Sequence, residues 1–131
     1  MKGLTESTLD GWFKKTVELL RPLYEELKKE VFSCDYVQAD ETTVPVINKE
    51  KHRADKEYLW MVRSVMKKLV IFHYDQGSRA GAVIESLANQ YHFKGYLQCD
   101  GFAGYETAFK TNPDVRLLNC LVHMRRHFEQ A

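Results

Sequence analysis

The sequence predicts an α/β fold with one mixed five-stranded sheet, three antiparallel strands followed by parallel crossovers, flanked by helices and preceded by an N-terminal helical segment. Apolar residues at helical spacing fill the first part of the chain. Three strand-like segments then follow one another between residues 36 and 74, which is typical of an antiparallel meander. After residue 82, helical and strand-like segments alternate, which indicates parallel crossovers on the same sheet.

Length and composition limit the class of protein. The 131 residues, 44% of them hydrophobic, suffice for one compact domain with a real core. Nineteen basic and eighteen acidic residues give a net charge of +1, so any contact with DNA must come from local basic patches. No apolar run approaches the ~20 residues of a membrane span, and the polar start has no signal-peptide core. Three widely separated cysteines indicate reduced thiols, and we expect a cytoplasmic protein without membrane contact.

The first 34 residues are predicted to be helical. Ser7 or Thr8 is a suitable cap for a short helix from Leu9 to Lys15. A second, amphipathic helix is predicted over residues 16–32, where Pro22 predicts a kink or a fresh start. We expect residues 1–34 to pack on, or lead into, a core formed by residues 35–131.

The core elements follow from alternation, apolar runs and turn residues. The predicted strands of the meander are Tyr36 to Asp40, continued by or paired with Val44 to Ile47, then Tyr58 to Ser64 and Lys68 to Tyr74. A charged hairpin tip is predicted at residues 48–57. The later elements are a helix at 82–91, a strand at 95–99, a helix near 105–110, a strand at 115–120 and a helix at 123–130.

Two acids end strands that this order makes neighbours in the middle of the sheet. Asp40 closes the first strand, and Asp100, followed at once by Gly101, closes the fourth. Two nearby carboxylates repel each other unless a cation lies between them or one takes up a proton. Magnesium prefers carboxylate oxygens, and two such ions can clamp the attacking and leaving oxygens of phosphoryl transfer. We therefore expect these carboxylates ~4–8 Å apart at an ion site, the alternative being that Asp100 only caps the following helix.

Four blocks of the sequence together resemble a known family. "ADETTVPV", "YLWMVRS", "GYLQCDGFAGYETAF" and "NCLVHMRRHFEQA" are similar to the catalytic core of the insertion-sequence-66 class of DDE transposases. The resemblance runs from about Asp35 to the last residue, and the N-terminal helices resemble the segment that precedes this core. It implies a ribonuclease-H-like fold and DNA strand cleavage and transfer with two magnesium or manganese ions.

The resemblance also assigns site residues. Asp40 matches the first acid of the triad and Asp100 the second, as catalytic residues and metal ligands. The third acid is a glutamate that the resemblance places beyond Ala131, whereas Glu129 matches a helix upstream of that glutamate. Glu41 is expected to point to the opposite face of the sheet from Asp40, as a solvated or outer acid or as a contributor to the metal site.

The last helix offers a second candidate metal pattern, C-x2-H-x3-H, formed by Cys120, His123 and His127. A closed structural zinc site needs four ligands, so we favour a packed Cys120 and a His123 hydrogen-bonded near the active face over zinc. The "CLVH" segment also resembles a cysteine-x2-histidine signature of several ribonuclease-H-like transposases. In the same helix, Leu121, Met124 and Phe128 form a stripe expected to face the sheet, with Cys120 and Phe128 buried.

Contact with the DNA backbone is expected from local groups around the two acids. A basic patch is predicted at the hairpin tip, with Lys49, Lys51, His52 and Arg53. Arg125 and Arg126 are expected to be at least partly exposed. The candidate DNA-contacting residues are Arg79, Tyr105, His123, Arg125 and Arg126.

The sequence is thus interpreted as the core fragment of a DNA transposase of the DDE type, inactive on its own, that contacts transposon ends and target DNA and can form a homo-oligomer. Two alternatives stay open. The first is a ribonuclease-H-like nuclease that only hydrolyses DNA. The second is a non-catalytic DNA-binding or assembly module derived from a transposase.

Overall fold

The computed structural model describes residues 4–130, apart from the side chains of His127 and Gln130. The helices are α1 (Glu6–Phe32), α2 (Ala82–Gln90), α3 (Ala103–Phe109) and α4 (Leu121–Gln130). The strands are β1 (Tyr36–Asn48), β2 (Arg53–Ser64), β3 (Leu69–Tyr74), β4 (Gly95–Cys99) and β5 (Val115–Asn119). The predicted fold class, a five-stranded mixed sheet flanked by helices and consistent with a ribonuclease-H-like fold, is confirmed.

Helix α1 is continuous, whereas the sequence predicted two helices or a kink at Pro22. Thr5 caps it by accepting a bond from the Thr8 amide, and the Ser33 amide closes the other end on the Lys29 carbonyl. Proline lacks the amide hydrogen that would bond one turn back. Pro22 is exposed, and the helix continues through it. Only the C-terminal part of α1 enters the core, where Val31 and Phe32 are buried.

The sheet has the order β3-β2-β1-β4-β5, with β1 in the middle. β1 pairs with β2 and β2 with β3 in antiparallel fashion. β1 with β4 and β4 with β5 are parallel. This is the predicted meander followed by crossovers, and it makes β1 and β4 neighbours.

One face of the sheet forms the core, against the C-terminal part of α1 together with α2 and α3. Strand residues alternate between faces, and the buried set includes Val37, Ala39, Trp60, Val62, Ile71, Leu97 and Val115. Trp60 is completely buried, and its indole donates to the Ser78 carbonyl at 2.9 Å. The other face carries Tyr36, Gln38 and Asp40 on β1 and is more open.

β1 and β2 extend beyond the rest of the sheet as a two-stranded ribbon. Their pairing continues to Asn48 and Arg53, while β2 and β3 pair only as far as Leu59 and Tyr74. We call residues 42–58 the ribbon. It projects from the end of the sheet at which β4 stops, over a length of roughly 20 Å at ~3.4 Å per residue.

The N-terminal part of α1 exposes large apolar side chains, including Trp12 and Phe13. The division of the chain at residue 34, into an N-terminal helical segment and a core, stays a prediction. Within residues 4–130, no helix is long and apolar enough to cross a membrane.

Candidate functional site

Strands β1 and β4 carry the same pattern, Tyr-x-Gln-x-Asp, in the segments "YVQAD" and "YLQCD". Their parallel register pairs Tyr36 with Tyr96 and Gln38 with Gln98. The side-chain amide of Gln38 donates to Gln98 Oε1 at 2.8 Å, and the Tyr36 hydroxyl donates to the same oxygen. These contacts fix the register on the open face of the sheet.

Asp40 and Asp100 each follow the bonded glutamines by two residues. Asp40 lies within β1, on the face of Gln38 by strand alternation, and Asp100 comes directly after β4. The register therefore brings both acids to the same end of the sheet, on two neighbouring inner strands. The expected separation of their carboxylates stays a prediction.

The Asp40 side chain is 43% exposed and faces a cavity. Its Oδ1 accepts from the Glu41 amide at 3.0 Å, and its Oδ2 lies 3.9 Å from His123 Nε2, too far for a hydrogen bond. The cavity of about 300 Å³ is lined by Gln38, Asp40, His123 and Arg126 among others. His123 Nδ1 is buried and has no hydrogen-bond partner in the described part of the chain, so the prediction of a hydrogen-bonded His123 is wrong.

Asp100 is held by the turn that leads into α3. Its Oδ1 accepts from the Phe102 amide at 3.0 Å. The N-cap of α3 is Phe102, so the interpretation of Asp100 as the N-cap residue is corrected. Asp100 lines a smaller cavity of about 120 Å³, and Cys99 borders both this cavity and the one beside Asp40.

Glu41 lies on the opposite face from Asp40, as expected, but it is not solvated. Its side chain is 3% exposed and pairs with Arg79, whose Nη2 lies 2.9 Å from Oε1. The Tyr105 hydroxyl donates to Glu41 Oε2 at 3.1 Å. The hydrogen bond that Arg79 donates to Glu41 raises the pKa of Arg79. Burial, followed by the charge of Glu41, raises the pKa of Tyr105.

This cluster changes two of the predicted DNA contacts. Tyr105 is 1% exposed and belongs to the core, so its prediction as a DNA contact is corrected. Arg79 is committed to Glu41, although its side chain stays 44% exposed. A DNA contact by Arg79 stays a prediction.

Helix α4 is oriented differently from the sequence prediction. Arg125 and Arg126 are exposed, as predicted, and Arg125 pairs with Glu129 at 2.6 Å. The predicted burial is wrong, because Phe128 is 78% exposed and Cys120 is only half-buried. The cavity beside Asp40 is bordered by Val122, His123 and Arg126, so the stripe of Leu121, Met124 and Phe128 lies toward solvent.

The chemistry of the donors fits part of a magnesium or manganese site. Asp40 and Asp100 supply the hard oxygen ligands that these ions prefer. Among the described residues, no three histidine, cysteine, aspartate or glutamate side chains come close enough together to hold an ion. The preference against zinc at Cys120, His123 and His127 stays a prediction, since the side chain of His127 lies outside the described residues. Burial raises the pKa of the Cys99 thiol to about 12.

Comparison with known families decides the class of the protein. The model of the family described as "Transposase IS66 family" matches residues 2–131. The chain belongs to the IS66 family of transposases. The resemblance predicted from the four sequence blocks is confirmed.

Two relatives of this IS66 chain come from Sinorhizobium fredii, and both carry the name of an uncharacterised protein. Protein y4qI is 26% identical over 138 residues, covering 95% of this chain and 25% of the relative. Protein y4jD is 28% identical over 137 residues, covering 95% of this chain and 26% of the relative. The IS66 chain thus spans about a quarter of the length of these relatives.

Two features of this IS66 chain were not predicted from its sequence. The bonded glutamines were detectable, because Tyr-x-Gln-x-Asp occurs twice at the ends of strands predicted to be neighbours. The Glu41–Arg79 pair joins residues 38 positions apart in the chain, and no local pattern marks it.

Proposed function

We propose that this chain carries the first two carboxylates of the ion site with which an IS66 transposase cleaves and joins DNA strands. The observation that carries the proposal is the register of β1 and β4. It pairs the two Tyr-x-Gln-x-Asp strands residue by residue up to Gln38 and Gln98, so Asp40 and Asp100 come to the same end of the sheet. Membership of the family supports it.

The two acids are oriented by backbone amides, one from Glu41 and one from Phe102. Each amide holds one carboxylate oxygen and leaves the other for an ion. Bound magnesium or manganese would activate water or a 3′-hydroxyl and stabilise the leaving oxygen. Asp40 and Asp100 would hold such ions at the end of the sheet to which β1 and β4 bring them.

A third acid completes the proposed site in the whole protein. The family resemblance places a glutamate beyond Ala131, so Asp40 and Asp100 supply only part of the ligand set. Misplacing a catalytic group by even ~1 Å can cost about 100-fold in rate. We therefore expect the 131-residue chain to bind ions weakly and to be inactive on DNA.

DNA contact in this proposal comes from cationic groups beside the Asp40 cavity and at the tip of the ribbon. Arg126 borders the Asp40 cavity, and Arg125 lies one residue before it on α4. The turn between β1 and β2 and the first residue of β2 carry Lys49, Lys51 and Arg53, all exposed. Cationic groups of this kind bind phosphates without reading sequence, and such binding weakens with salt.

The test is cleavage of a supercoiled plasmid in manganese, run with this chain and with a longer IS66 protein that contains it. The longer protein should nick the plasmid and join strands, and Asp40→Ala or Asp100→Ala should abolish both reactions. Hydrolysis without joining would support a nuclease, and DNA binding without either reaction would support a non-catalytic module. Nicking by the 131-residue chain that both substitutions abolish would show that the two acids alone are competent.

A further inference from the structure

A cluster of three polar side chains lies behind the two acids, on the core face of the sheet. Nε and Nη2 of Arg79 both lie 2.9 Å from Glu41 Oε1, and the Tyr105 hydroxyl donates to Oε2 at 3.1 Å. Both carboxylate oxygens of Glu41 are therefore engaged. We call Glu41, Arg79 and Tyr105 the Glu41 cluster.

Aromatic rings pack against the Glu41 cluster, in which Glu41 and Tyr105 are buried and Arg79 is partly exposed. The Arg79 guanidinium lies 4.4 Å from the centre of the Phe102 ring and 5.3 Å from that of Tyr58. The Tyr105 ring contacts both Trp60 and Phe102 edge-on. These contacts restrict the positions that Arg79 and Tyr105 can take.

Close packing of α2 on α3 fixes the chain segments that carry Arg79 and Tyr105. A Cβ atom at Gly81 would lie 2.1 Å from the Gly104 carbonyl oxygen, so only glycine permits this approach. Gly81 is two residues after Arg79, and Gly104 immediately precedes Tyr105. The start of α2 and the start of α3 are thus held together where Arg79 and Tyr105 meet Glu41.

The cluster connects the two chain segments that hold the acids. Glu41 directly follows Asp40, and its amide donates to Asp40 Oδ1. Phe102, under the Arg79 guanidinium, donates its amide to Asp100 Oδ1. A shift of Glu41 relative to Arg79 therefore moves one carboxylate relative to the other.

We propose that Glu41, Arg79 and Tyr105 position Asp40 and Asp100 relative to each other without contacting the ion. This inference rests on the proposed function for the ion-binding role of the two acids. A buried ion pair can often be replaced by apolar side chains without loss of stability. Residues behind metal ligands nevertheless change ion affinity by about 10–100-fold when mutated. Positioning and stability are thus separable in this cluster.

The test uses the 131-residue chain in a double variant with Glu41→Met and Arg79→Met. We expect it to fold and to bind manganese at least ~10-fold more weakly than the parent. In the metal-free chain, hydrogen exchange of the backbone amides at positions 41 and 102 should accelerate, since both bond the positioned carboxylates. Glu41→Gln and Tyr105→Phe, which change fewer atoms, should shift both measurements in the same direction. These two single variants replace the double variant in the test if the double variant does not fold.

A matched control is Lys94→Gln, which breaks an exposed ion pair with Asp114 near the start of β4, and it should change neither measurement. A folded cluster variant with parental exchange at both amides would overturn the positioning role, whether or not the chain binds manganese. Manganese binding by the parent that Asp40→Asn and Asp100→Asn leave unchanged would instead contradict the proposed function. The two failures are therefore distinguishable.

Discussion

Gln38 donates a 2.8 Å hydrogen bond to Gln98 across the parallel pair of β1 and β4, two residues before Asp40 on one chain segment and Asp100 on the other. A slip of one residue would turn every side chain of a strand to the other face. The bonded glutamines, with Val37 and Leu97 buried behind them, therefore set where both acids lie.

The first prediction is the separation of the two acids. In a crystal structure of this chain, the nearest carboxylate oxygens of Asp40 and Asp100 should lie ~4–8 Å apart, as a shared ion site requires. Gln38→Leu with Gln98→Leu should keep the fold and loosen this spacing, because the hydrogen bond between the two strands is removed. Carboxylates on opposite faces of the sheet would contradict the ion site.

The order of the strands was predictable from the sequence because alternation and turn residues are local signals. β4 occupies the predicted residues 95–99, and β1 and β4 are neighbours as the strand order required. The continuity of α1 was not predictable, since a proline inside a helical pattern usually kinks or ends the helix, whereas α1 continues through Pro22.

The candidate site was predictable as a pair of acids but not in its surroundings. The burial of Glu41 depends on Arg79 and Tyr105, which tertiary packing brings from distant parts of the chain. The exposed side of α4 was also mispredicted, because a stripe such as the one ending at Phe128 does not show which element covers it. Both the burial of Glu41 and the exposed side of α4 depend on how distant elements pack against the sheet.

The second prediction concerns the ribbon. Replacing Lys49, Lys51 and Arg53, at its tip, by glutamine should weaken binding of duplex DNA equally for unrelated sequences. The slope of log affinity against log salt should fall by about 0.9 for each phosphate that the variant no longer binds. Fluorescence anisotropy over a salt series measures both quantities.

The control for the ribbon removes three cations elsewhere, with Lys14, Lys15 and Lys94 changed to glutamine. These residues are also exposed, but they lie on α1 and before β4. DNA affinity that falls equally in both triple variants would show that only net charge matters and that the ribbon has no particular role.

The third prediction concerns pH. Burial, followed by the positive charge of Lys28, lowers the pKa of His73 below its ordinary value of 6.5. The unfolded chain then takes up the His73 proton at a higher pH than the folded chain, so the free energy of unfolding should decrease as pH falls below about 6.5. His73→Gln should flatten this part of the profile, as measured by urea unfolding at several pH values. An unchanged profile in the variant would contradict the assignment.

The fourth prediction concerns self-association through α4. Leu121 and Phe128 are both exposed, and exposed apolar patches promote association. Leu121→Gln with Phe128→Ser should shift sedimentation toward the monomer and change the free energy of unfolding by only about 0.5 kcal/mol. Phe109→Ser, at a buried position, should instead destabilise the chain by roughly 3–5 kcal/mol. Identical sedimentation of the parent and the α4 variant would exclude this surface as the contact.

The fifth prediction tests the shared ion site most directly, by calorimetric titration of this chain with manganese. We expect weak but saturable binding that Asp40→Asn and Asp100→Asn each abolish, while the matched amide change Asp114→Asn, at an exposed acid before β5, leaves it intact. Binding that survives either substitution at Asp40 or Asp100 would contradict the claim that these two acids hold the ion together.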